Sequence, residues 1–282
     1  MGVELHICLL VTTRGRTDAL VRLLNSLVLQ NHRHFHVILG DQNPTGFLAP
    51  LLASYRDTLR IERHPIPESS LSRARNLLIP HAHGDIIALT DDDCHYAPDC
   101  LSRVATAFLA SPEIGILCAT PCDTLQRGTV QQAHNTTRPI SRYGIFRSCP
   151  SWVLFFSAAA FRSAGTFDEN LGVGAPTPSQ SGEETDFALR VMARGARAFR
   201  LATAHVFHDS VAITPAMIER TRLYGIGRMT VLIKHGFPLW FILANLLFPL
   251  AQFTICVLRR TSQHAFLHWQ TFRGRLQGLL HP

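Results

Sequence analysis

Three consecutive carboxylates, Asp91, Asp92 and Asp93, follow the apolar run Ile86–Leu89 after a single threonine. Like charges this close repel one another, so a folded chain keeps them together only where a cation or strong hydrogen-bond donors neutralise them. Mg²⁺ and Mn²⁺ bind through one or two carboxylates and leave positions for water and substrate phosphates. The stretch therefore predicts a site for a metal and a diphosphate, with a turn or helix cap as the alternative interpretation.

A second acidic cluster consists of Glu183, Glu184 and Asp186. It lies at the predicted start of a helix over 184–194, after a Gly/Pro/Ser-rich loop over 167–181 of a length that usually indicates function. A carboxylate in such a place can act as a general base. The alternative is that these acids only complement the dipole of the helix.

Strands and helices that alternate along the chain must position these acids. Short apolar runs predict strands over 6–12, 35–39, 85–89, 114–119 and 151–161, with another around 59–62. Leucines at the spacing of one helix face predict a helix after the first strand, and further helices are predicted over 71–81 and 98–109. The alternation predicts an α/β fold with a mostly parallel sheet and helices on both faces, and ligands of such sheets bind beyond the carboxyl ends of the strands.

The apolar stretch at about 237–258 contains no Asp, Glu, Lys or Arg and is long enough to cross a bilayer. Asn245, Pro249 and Gln252 within it, and positive charge on both flanks, argue against a simple crossing. We expect a C-terminal, membrane-associated helical segment over 216–282, after a catalytic domain over 1–215. A buried pair of soluble helices is the alternative.

The overall composition narrows the class of partner. Twenty-seven Lys plus Arg against 20 Asp plus Glu give a net charge of +7, which suits a partner that carries phosphate. Nucleic acid is disfavoured, because the basic residues are dispersed and form no recognition motif. Seven scattered cysteines without a C-x-x-C pair predict neither a disulfide framework nor a thiolate zinc site. Together with an N-terminus that lacks a basic leader, they lead us to expect a cytoplasmic location.

A series of motifs in a fixed order resembles the inverting nucleotide-sugar glycosyltransferases of family 2, which have the GT-A fold. The resemblance covers about residues 5 to 210 and implies a Rossmann-like GT-A domain that transfers a sugar from a nucleoside-diphosphate sugar to an acceptor hydroxyl. The matching elements are Val11-Thr-Thr-Arg14, Gly40-Asp41, Ser72-Arg-Ala-Arg-Asn76, Gly84-Asp85, Thr90-Asp-Asp-Asp93, Gly165-Thr-Phe-Asp168, Gly182-Glu-Glu-Thr-Asp186 and His208.

The resemblance also implies roles for single residues. The catalytic base is Glu184, where relatives usually carry Asp, and Glu183 and Asp186 remain alternatives. The metal, Mn²⁺ or Mg²⁺, is held by Asp93 and His208, with His205 as a rival for the second position. Trp152 lies where relatives shape the acceptor pocket. The donor is bound by Thr12, Arg14, Asp41, Arg75, Asn76, Asp91 and Asp92, with Asp41 at the nucleotide base.

We therefore expect a metal-dependent inverting glycosyltransferase at the cytoplasmic face of a membrane. Its acceptor would be a lipid-linked molecule or a surface glycan precursor. One alternative is a membrane-associated protein that binds the nucleotide sugar without turnover. The other is a metal-dependent nucleotidyl- or phosphotransferase, which would be expected to carry a phosphate-binding loop, and the sequence contains no G-x-x-x-x-G-K-[ST].

Overall fold

The computed structural model describes residues 4–123, 137–209 and 213–281, and the chain divides into two compact units. The first unit comprises Met1–Ser69, Arg73–Phe167 and Phe187–Ser210, and the second comprises Ser70–Ser72, Asp168–Asp186 and Val211–Pro282. Residues 124–136, the middle of a polar stretch that follows the strand predicted over 114–119, lie outside the described residues.

A nine-stranded sheet forms the core of the first unit. Its strands follow the order β3-β2-β1-β4-β8-β6-β9-β5, and β7 pairs with β9. The strands are β1 (Ile7–Thr13), β2 (Phe35–Asp41), β3 (Ile61–Pro65), β4 (Ile86–Asp91), β5 (Cys94–Tyr96), β6 (Ile114–Asp123), β7 (Thr137–Ile140), β8 (Leu154–Ser157) and β9 (Arg197–His208).

The sheet is parallel in its first half and mixed in its second. β1 pairs in parallel with β2 and β4, and β2 pairs in parallel with β3, as the alternation of elements predicts. β8 runs antiparallel to both β4 and β6, and β9 runs antiparallel to β5 and β7 but parallel to β6. The α/β prediction is confirmed, with more antiparallel pairing than the sequence indicates.

Helices connect these strands where apolar residues recur at helical spacing. In α1 the residues Leu20, Leu23, Leu24 and Leu27 are fully buried, which accounts for the helix after β1. The helices up to β9 are α1 (Thr17–Val28), α2 (Ala49–Ala53), α3 (Leu71–Leu78), α4 (Cys100–Ala110), α5 (Ile145–Ser148), α6 (Ala158–Ala164) and α7 (Glu183–Ala193).

The apolar run predicted as one strand over 151–161 divides into β8 and α6. Ser157 ends the strand and caps the helix, because its hydroxyl accepts a hydrogen bond from the backbone amide of Ala160 at 3.3 Å. A continuous apolar run does not by itself distinguish a strand from a buried helix, which explains the error.

Three long helices, α8 (Pro215–Lys234), α9 (Leu239–Leu258) and α10 (Ser262–Leu280), belong to the second unit. Glycines let α8 and α10 approach closely, since a Cβ at Gly274 would overlap the carbonyl oxygen of Arg222. Within α9, the polar Asn245 is satisfied inside the unit: Arg228 Nη2 donates to its Oδ1 at 2.9 Å, and Arg275 donates to its carbonyl oxygen. The polar residue that interrupts the apolar stretch therefore anchors α9 to its neighbours.

Most of α9 remains uncovered. Within the described residues it is the one helix long and apolar enough to cross a membrane, and 17% of its most apolar window is buried. Its exposed large apolar side chains are Leu239, Trp240, Leu243, Leu247, Phe248, Ile255, Val257 and Leu258.

Cys118 on β6 and Cys149 after α5 form a disulfide, so the expectation of no disulfide is wrong for this pair. The two residues are 31 positions apart in sequence. They meet because Cys118 pairs with Leu154 at the start of β8, shortly after Cys149 in the chain. Cysteine spacing alone does not encode such a tertiary contact.

Candidate active site

The register of the parallel strands gathers polar residues at the carboxyl ends of β1, β2 and β4. Thr13 pairs with Asp41 across β1 and β2, and Thr12 pairs with Asp91 across β1 and β4. This is the edge of an open α/β sheet at which ligands bind.

The turn between β4 and β5 carries Asp92 and Asp93. Because β5 runs antiparallel to β9, its first residue, Cys94, pairs with His208 at the end of β9. As a result His208 Nε2 lies 3.2 Å from Asp93 Oδ1. The two residues that the resemblance assigns to the metal are therefore neighbours, whereas the rival His205 pairs with Thr120 on β6.

Asp91 is held by two donors of the first unit. Arg75 Nη2 donates to its Oδ1 at 2.9 Å, and the hydroxyl of Ser151 donates to its Oδ2 at 2.7 Å. Arg75 is 1% exposed, and its guanidinium lies 5.6 Å from the centre of the Phe167 ring. A buried guanidinium that loses its carboxylate costs several kcal/mol, roughly 3 to 5. Arg75 and Asp91 therefore fix each other at the end of β4.

Asp92 and Asp93 share one arginine. Arg16 Nη1 lies 3.3 Å from Asp92 Oδ1 and 2.6 Å from Asp93 Oδ2, and the hydroxyl of Thr13 donates to Asp92 Oδ2 at 2.7 Å. With His208 beside Asp93, each of the adjacent carboxylates has a donor from the protein itself. Part of the negative charge of this cluster is thus neutralised by side chains of the protein.

The environments of these groups shift their pKa values in different directions. Burial raises the pKa of Asp92 to about 6. Burial acts in the same direction on Asp93, but the hydrogen bond to His208 holds the pKa of Asp93 below its ordinary value. The same hydrogen bond raises the pKa of His208. Asp93 and His208 consequently stabilise each other's charged forms.

Asp93 and His208 have the chemistry of a divalent cation site. The Nδ1 of His208 donates to the carbonyl oxygen of Asp209 at 2.8 Å, so the lone pair of the neutral ring lies on Nε2, which faces Asp93. Both side chains are about one quarter exposed. One carboxylate oxygen and one imidazole nitrogen suit Mn²⁺ or Mg²⁺ with further positions for phosphate oxygens, provided that Arg16 releases Asp93.

Other donor residues proposed from the sequence are engaged elsewhere at the same edge. Arg14 pairs with Glu68 at 2.7 Å, and both side chains are more than half exposed. Asp41 is 1% exposed and accepts hydrogen bonds from Arg63 Nε at 2.6 Å and from the backbone and side-chain amides of Asn43 at 2.9 and 2.7 Å. The carboxylate of Asp41 therefore orients Arg63 and Asn43.

Asn76 and Trp152 have clear local partners. Asn76 exchanges two hydrogen bonds with the backbone of Phe167, at 3.0 and 2.7 Å. The ring of Trp152 stacks on the imidazole of His208 with the centroids 5.4 Å apart. Asn76 thus fixes the segment at Phe167, and Trp152 is placed beside the candidate metal ligands.

The second acidic cluster belongs to the second unit. Asp186 is fully buried and lies 2.8 Å from both Lys234 Nζ and His235 Nε2. Glu183 is 4% exposed, and a Cβ at Gly172 would stand 2.9 Å from its carboxylate. Glu184 is half-buried and is therefore more accessible than either of the other two acids.

Lys234 links this cluster to a second carboxylate. Its Nζ lies 2.6 Å from Asp168 Oδ2 and 2.8 Å from Asp186 Oδ1. Although burial acts to raise it, the pKa of Asp168 is lowered by the hydrogen bond from Lys234. Lys234 thereby favours the charged form of Asp168 and joins it to Asp186.

Sequence reasoning missed several of these partners. Arg16 carried a signal, since it follows Arg14 after Gly15, whose φ of +68° lets the chain turn before α1. Ser151, Lys234 and His235 carried none, because they lie 48 or more positions from the acids they contact.

Comparisons with known proteins identify a matching family and structures of similar fold. The model of the family Glycosyl transferase family 2 matches residues 8–165, which is more than half of the chain. Protein CgeD of Bacillus subtilis (strain 168) is 29% identical over 121 residues. That match covers 40% of this chain and 28% of CgeD, so the chain spans well under half of this relative's length.

Solved structures share the fold. S. aureus TarS 1-349 in complex with UDP-GlcNAc has a TM-score of 0.57 at 16% identity, over 96% of this chain and 91% of that chain. Mannosyltransferase PcManGT from Pyrobaculum calidifontis, in complex with GDP-Man and Mn²⁺, has a TM-score of 0.59 at 14% identity, over 99% of this chain and 75% of that chain. The chain covers 42% of a longer TarS structure. At these identities the likeness concerns the fold, which is the predicted GT-A fold.

The Asp93–His208 pair gives a prediction about pH. In metal-free buffer, an NMR titration is expected to place the pKa of His208 above 6.5 in the wild type and nearer 6.5 in Asp93→Asn. Because the folded-state pKa is raised, the stabilisation due to protonated His208 is fully present below pH 6.5 and is lost as the pH rises through that pKa.

The lowered pKa of Asp93 sets the acid limit, since its contribution to stability is present above pH 3.8 and is lost as the pH falls through the folded-state value. His205, whose pKa is lowered by burial, serves as the internal control and should titrate unchanged in the variant. A wild-type His208 that titrates at or below pH 6.5 would contradict the ion pair.

Proposed function

The chain belongs to glycosyltransferase family 2, and on that premise we propose that it transfers a sugar from a nucleoside-diphosphate sugar to an acceptor hydroxyl, with inversion at the anomeric carbon. The observation that carries the proposal is the cluster of Asp93, His208 and Arg16 at the carboxyl edge of the sheet. The similar structures of TarS and PcManGT, with UDP-GlcNAc and with GDP-Man and Mn²⁺, support a nucleotide sugar as donor.

The proposed donor site uses the carboxyl edge of the first unit. Asp93 and His208 would hold Mn²⁺ or Mg²⁺, which supplies positive charge to the departing diphosphate. Arg16, released from Asp93, would turn to the phosphates, since guanidinium is well suited to bind them. Asp91 and Asp92 would accept hydrogen bonds from hydroxyl groups of the donor.

The remaining donor residues have supporting roles in the proposal. Thr12 and Arg14 would contact the nucleotide at the end of β1. Asp41 would act at the nucleotide base through Arg63 and Asn43, which it orients by hydrogen bonds. Arg75 and Asn76 would position the site, Arg75 through Asp91 and Asn76 through the backbone at Phe167.

Glu184 is the proposed catalytic base. Its carboxylate would take the proton of the acceptor hydroxyl while that oxygen attacks the anomeric carbon and the bond to the diphosphate oxygen breaks, leaving the electron pair on the diphosphate. Glu184 is the most accessible of the three candidate acids, whereas Asp186 is committed to Lys234 and His235. Glu183 and Asp186 would then shape and orient this turn of the helix.

The acceptor side of the proposal involves Trp152 and the C-terminal helices. Trp152 would stack on a sugar, because indole rings pack well on the apolar face of a pyranose. The catalytic part is proposed as residues 1–215, with 216–282 holding it at a membrane where a lipid-linked acceptor or a surface glycan precursor would lie. The exposed apolar side chains of α9 support this association.

The contacts of Asn245 favour an α9 that lies along the membrane surface over one that crosses it. Arg228 and Arg275 both donate to Asn245, in the first half of α9. A crossing helix would take these two guanidinium groups toward the hydrocarbon, where charge is costly. The proposed side is the cytoplasmic face, where the reducing environment would convert the Cys118–Cys149 disulfide to two thiols.

Replacing Asp93 with Ala tests the donor site. A thermal-shift panel of UDP-, GDP- and dTDP-sugars with Mn²⁺ should raise the melting temperature of the wild type with one nucleotide class and leave Asp93→Ala unshifted. Asp99→Ala, which removes a carboxylate paired with Arg103, is the matched control and should respond like the wild type. Equal metal-dependent shifts in wild type and Asp93→Ala would remove the proposed metal role.

Replacing Glu184 with Gln tests the base. We expect hydrolysis of the donor, with water as acceptor, to fall by at least about 100-fold, within the range for loss of a general base, while the thermal shift with donor is retained. Glu113→Gln, which changes an exposed glutamate near Arg197, should keep full turnover. Full turnover by Glu184→Gln, with loss in Glu183→Gln or Asp186→Asn, would move the role to that residue.

The same assay separates the two rival functions. A wild type that binds the donor with no turnover would be a binding protein, and transfer of the nucleotide or phosphate instead of the sugar would indicate a nucleotidyl- or phosphotransferase. Product masses distinguish these outcomes.

The exposed face of α9 can be tested with vesicles that contain anionic phospholipid. The full chain should sediment with them, and a double substitution, Leu247→Glu with Phe248→Glu, should stay in the supernatant, because two charges replace exposed apolar side chains. The control is Leu29→Glu with Leu109→Glu, which charges exposed apolar positions of the first unit. Sedimentation of the α9 variant at the wild-type level would refute the proposed surface.

Alkylation of the cellular protein before lysis checks the side of the membrane. Modified Cys118 and Cys149 would agree with the cytoplasmic face, and an intact disulfide would contradict it.

A further inference from the structure

A cluster of histidines lies at the amino-terminal ends of the parallel strands, at the other end of these strands from the carboxylates described above. His6 directly precedes β1, His36 is the second residue of β2, Glu62 is the second residue of β3, and His83 lies shortly before β4. The parallel pairing of these four strands brings the residues together at one edge.

Three of these side chains present their ligand atoms to a common point. One ligand atom from each of His36, Glu62 and His83 lies within 4.8 Å of the others. The rings of His36 and His83 have centroids 4.3 Å apart, and His83 Nε2 lies 3.8 Å from Glu62 Oε1. Such separations match atoms that surround a shared cation more closely than atoms that hydrogen-bond to one another.

The Nε2 atom of His36 points to an occupant. His36 is fully buried, and this nitrogen has no hydrogen-bond partner among the described residues. A buried polar atom without a partner is rare in folded proteins, since it loses its hydration without compensation. A cation at this position would satisfy it.

Hydrogen bonds to the other ring nitrogens orient both imidazoles. His83 Nδ1 donates to the carbonyl oxygen of His81 at 2.6 Å, and His36 Nδ1 lies 3.0 Å from His6 Nε2. With a proton on each Nδ1, both Nε2 atoms carry lone pairs toward the common point. Metal-ligating histidines are held in this way by a partner on the second nitrogen.

The carboxylate and its exposure also suit a metal. Glu62 accepts a hydrogen bond from Arg60 at 2.8 Å through Oε1 and has a second carboxylate oxygen. The side chains of Glu62 and His83 are 32% and 51% exposed, which gives an ion access from solvent.

We propose that His36, Glu62 and His83 bind a zinc ion, with His6 as the hydrogen-bond partner that orients His36. Two imidazole nitrogens and one carboxylate, with a position left for water, form a common zinc ligand set. Two imidazole nitrogens favour zinc at this site, whereas the donor site offers a single imidazole, that of His208, among carboxylates, a set that also suits Mn²⁺ or Mg²⁺. A zinc ion here would join β2, β3 and the segment before β4, and would therefore stabilise the folded chain.

The test measures zinc bound to the full chain after removal of metals with a chelator. Equilibrium dialysis against Zn²⁺, with excess Mg²⁺ to occupy the carboxylate site, should leave one more zinc per chain on the wild type than on His83→Ala. Zn²⁺ should also raise the melting temperature of the wild type. Glu62→Gln should need a Zn²⁺ concentration at least about tenfold higher for the same rise. Both substitutions affect partly exposed side chains, so the fold is expected to survive.

His34→Ala is the matched control. His34 stacks on His6 with the ring centroids 4.6 Å apart but contributes no ligand atom, so this variant should retain the zinc. Substitution of Co²⁺ should give a d–d absorption band that is lost in His83→Ala and kept in His34→Ala. Equal zinc content in the wild type and His83→Ala, or no zinc on the wild type, would overturn the proposal.

Discussion

The repulsion among Asp91, Asp92 and Asp93 is the interaction on which the candidate active site depends. This repulsion is compensated by hydrogen-bond donors from five parts of the chain: α3, the segment before β8, β1, the start of α1 and β9. None of these donors is a neighbour in sequence, so the carboxylates become compatible only when the sheet has formed. The three adjacent carboxylates are thus stabilised only in a chain whose strands are correctly paired.

The sequence predicted the elements that rest on local pattern. The buried strands β1, β2 and β4 and the helix α1 follow from apolar spacing, and the position of the acids follows from the strand ends. The family and the fold followed from the order of motifs. The antiparallel strand β8 and the boundary at Ser157 did not, because an apolar run carries no information about where its helix begins.

Residue partners were harder to predict than elements. The contacts of Arg16 with Asp93, of Ser151 with Asp91 and of Lys234 with Asp186 depend on tertiary register and on the turn at Gly15, which local propensity does not specify. The disulfide between Cys118 and Cys149 is of the same kind. The roles of the site residues remain predictions.

Arg16 lies between two carboxylates, one of which is proposed to bind the cation. In the proposed reaction the guanidinium and the metal compete for Asp93, and the diphosphate offers Arg16 a new partner. Metal and donor then promote each other's binding. Either ligand alone must separate Arg16 from Asp93, and once one ligand has done so the other binds without that cost. Linkage makes this cooperativity reciprocal, so the affinity for either ligand, measured separately, understates its affinity in the ternary complex.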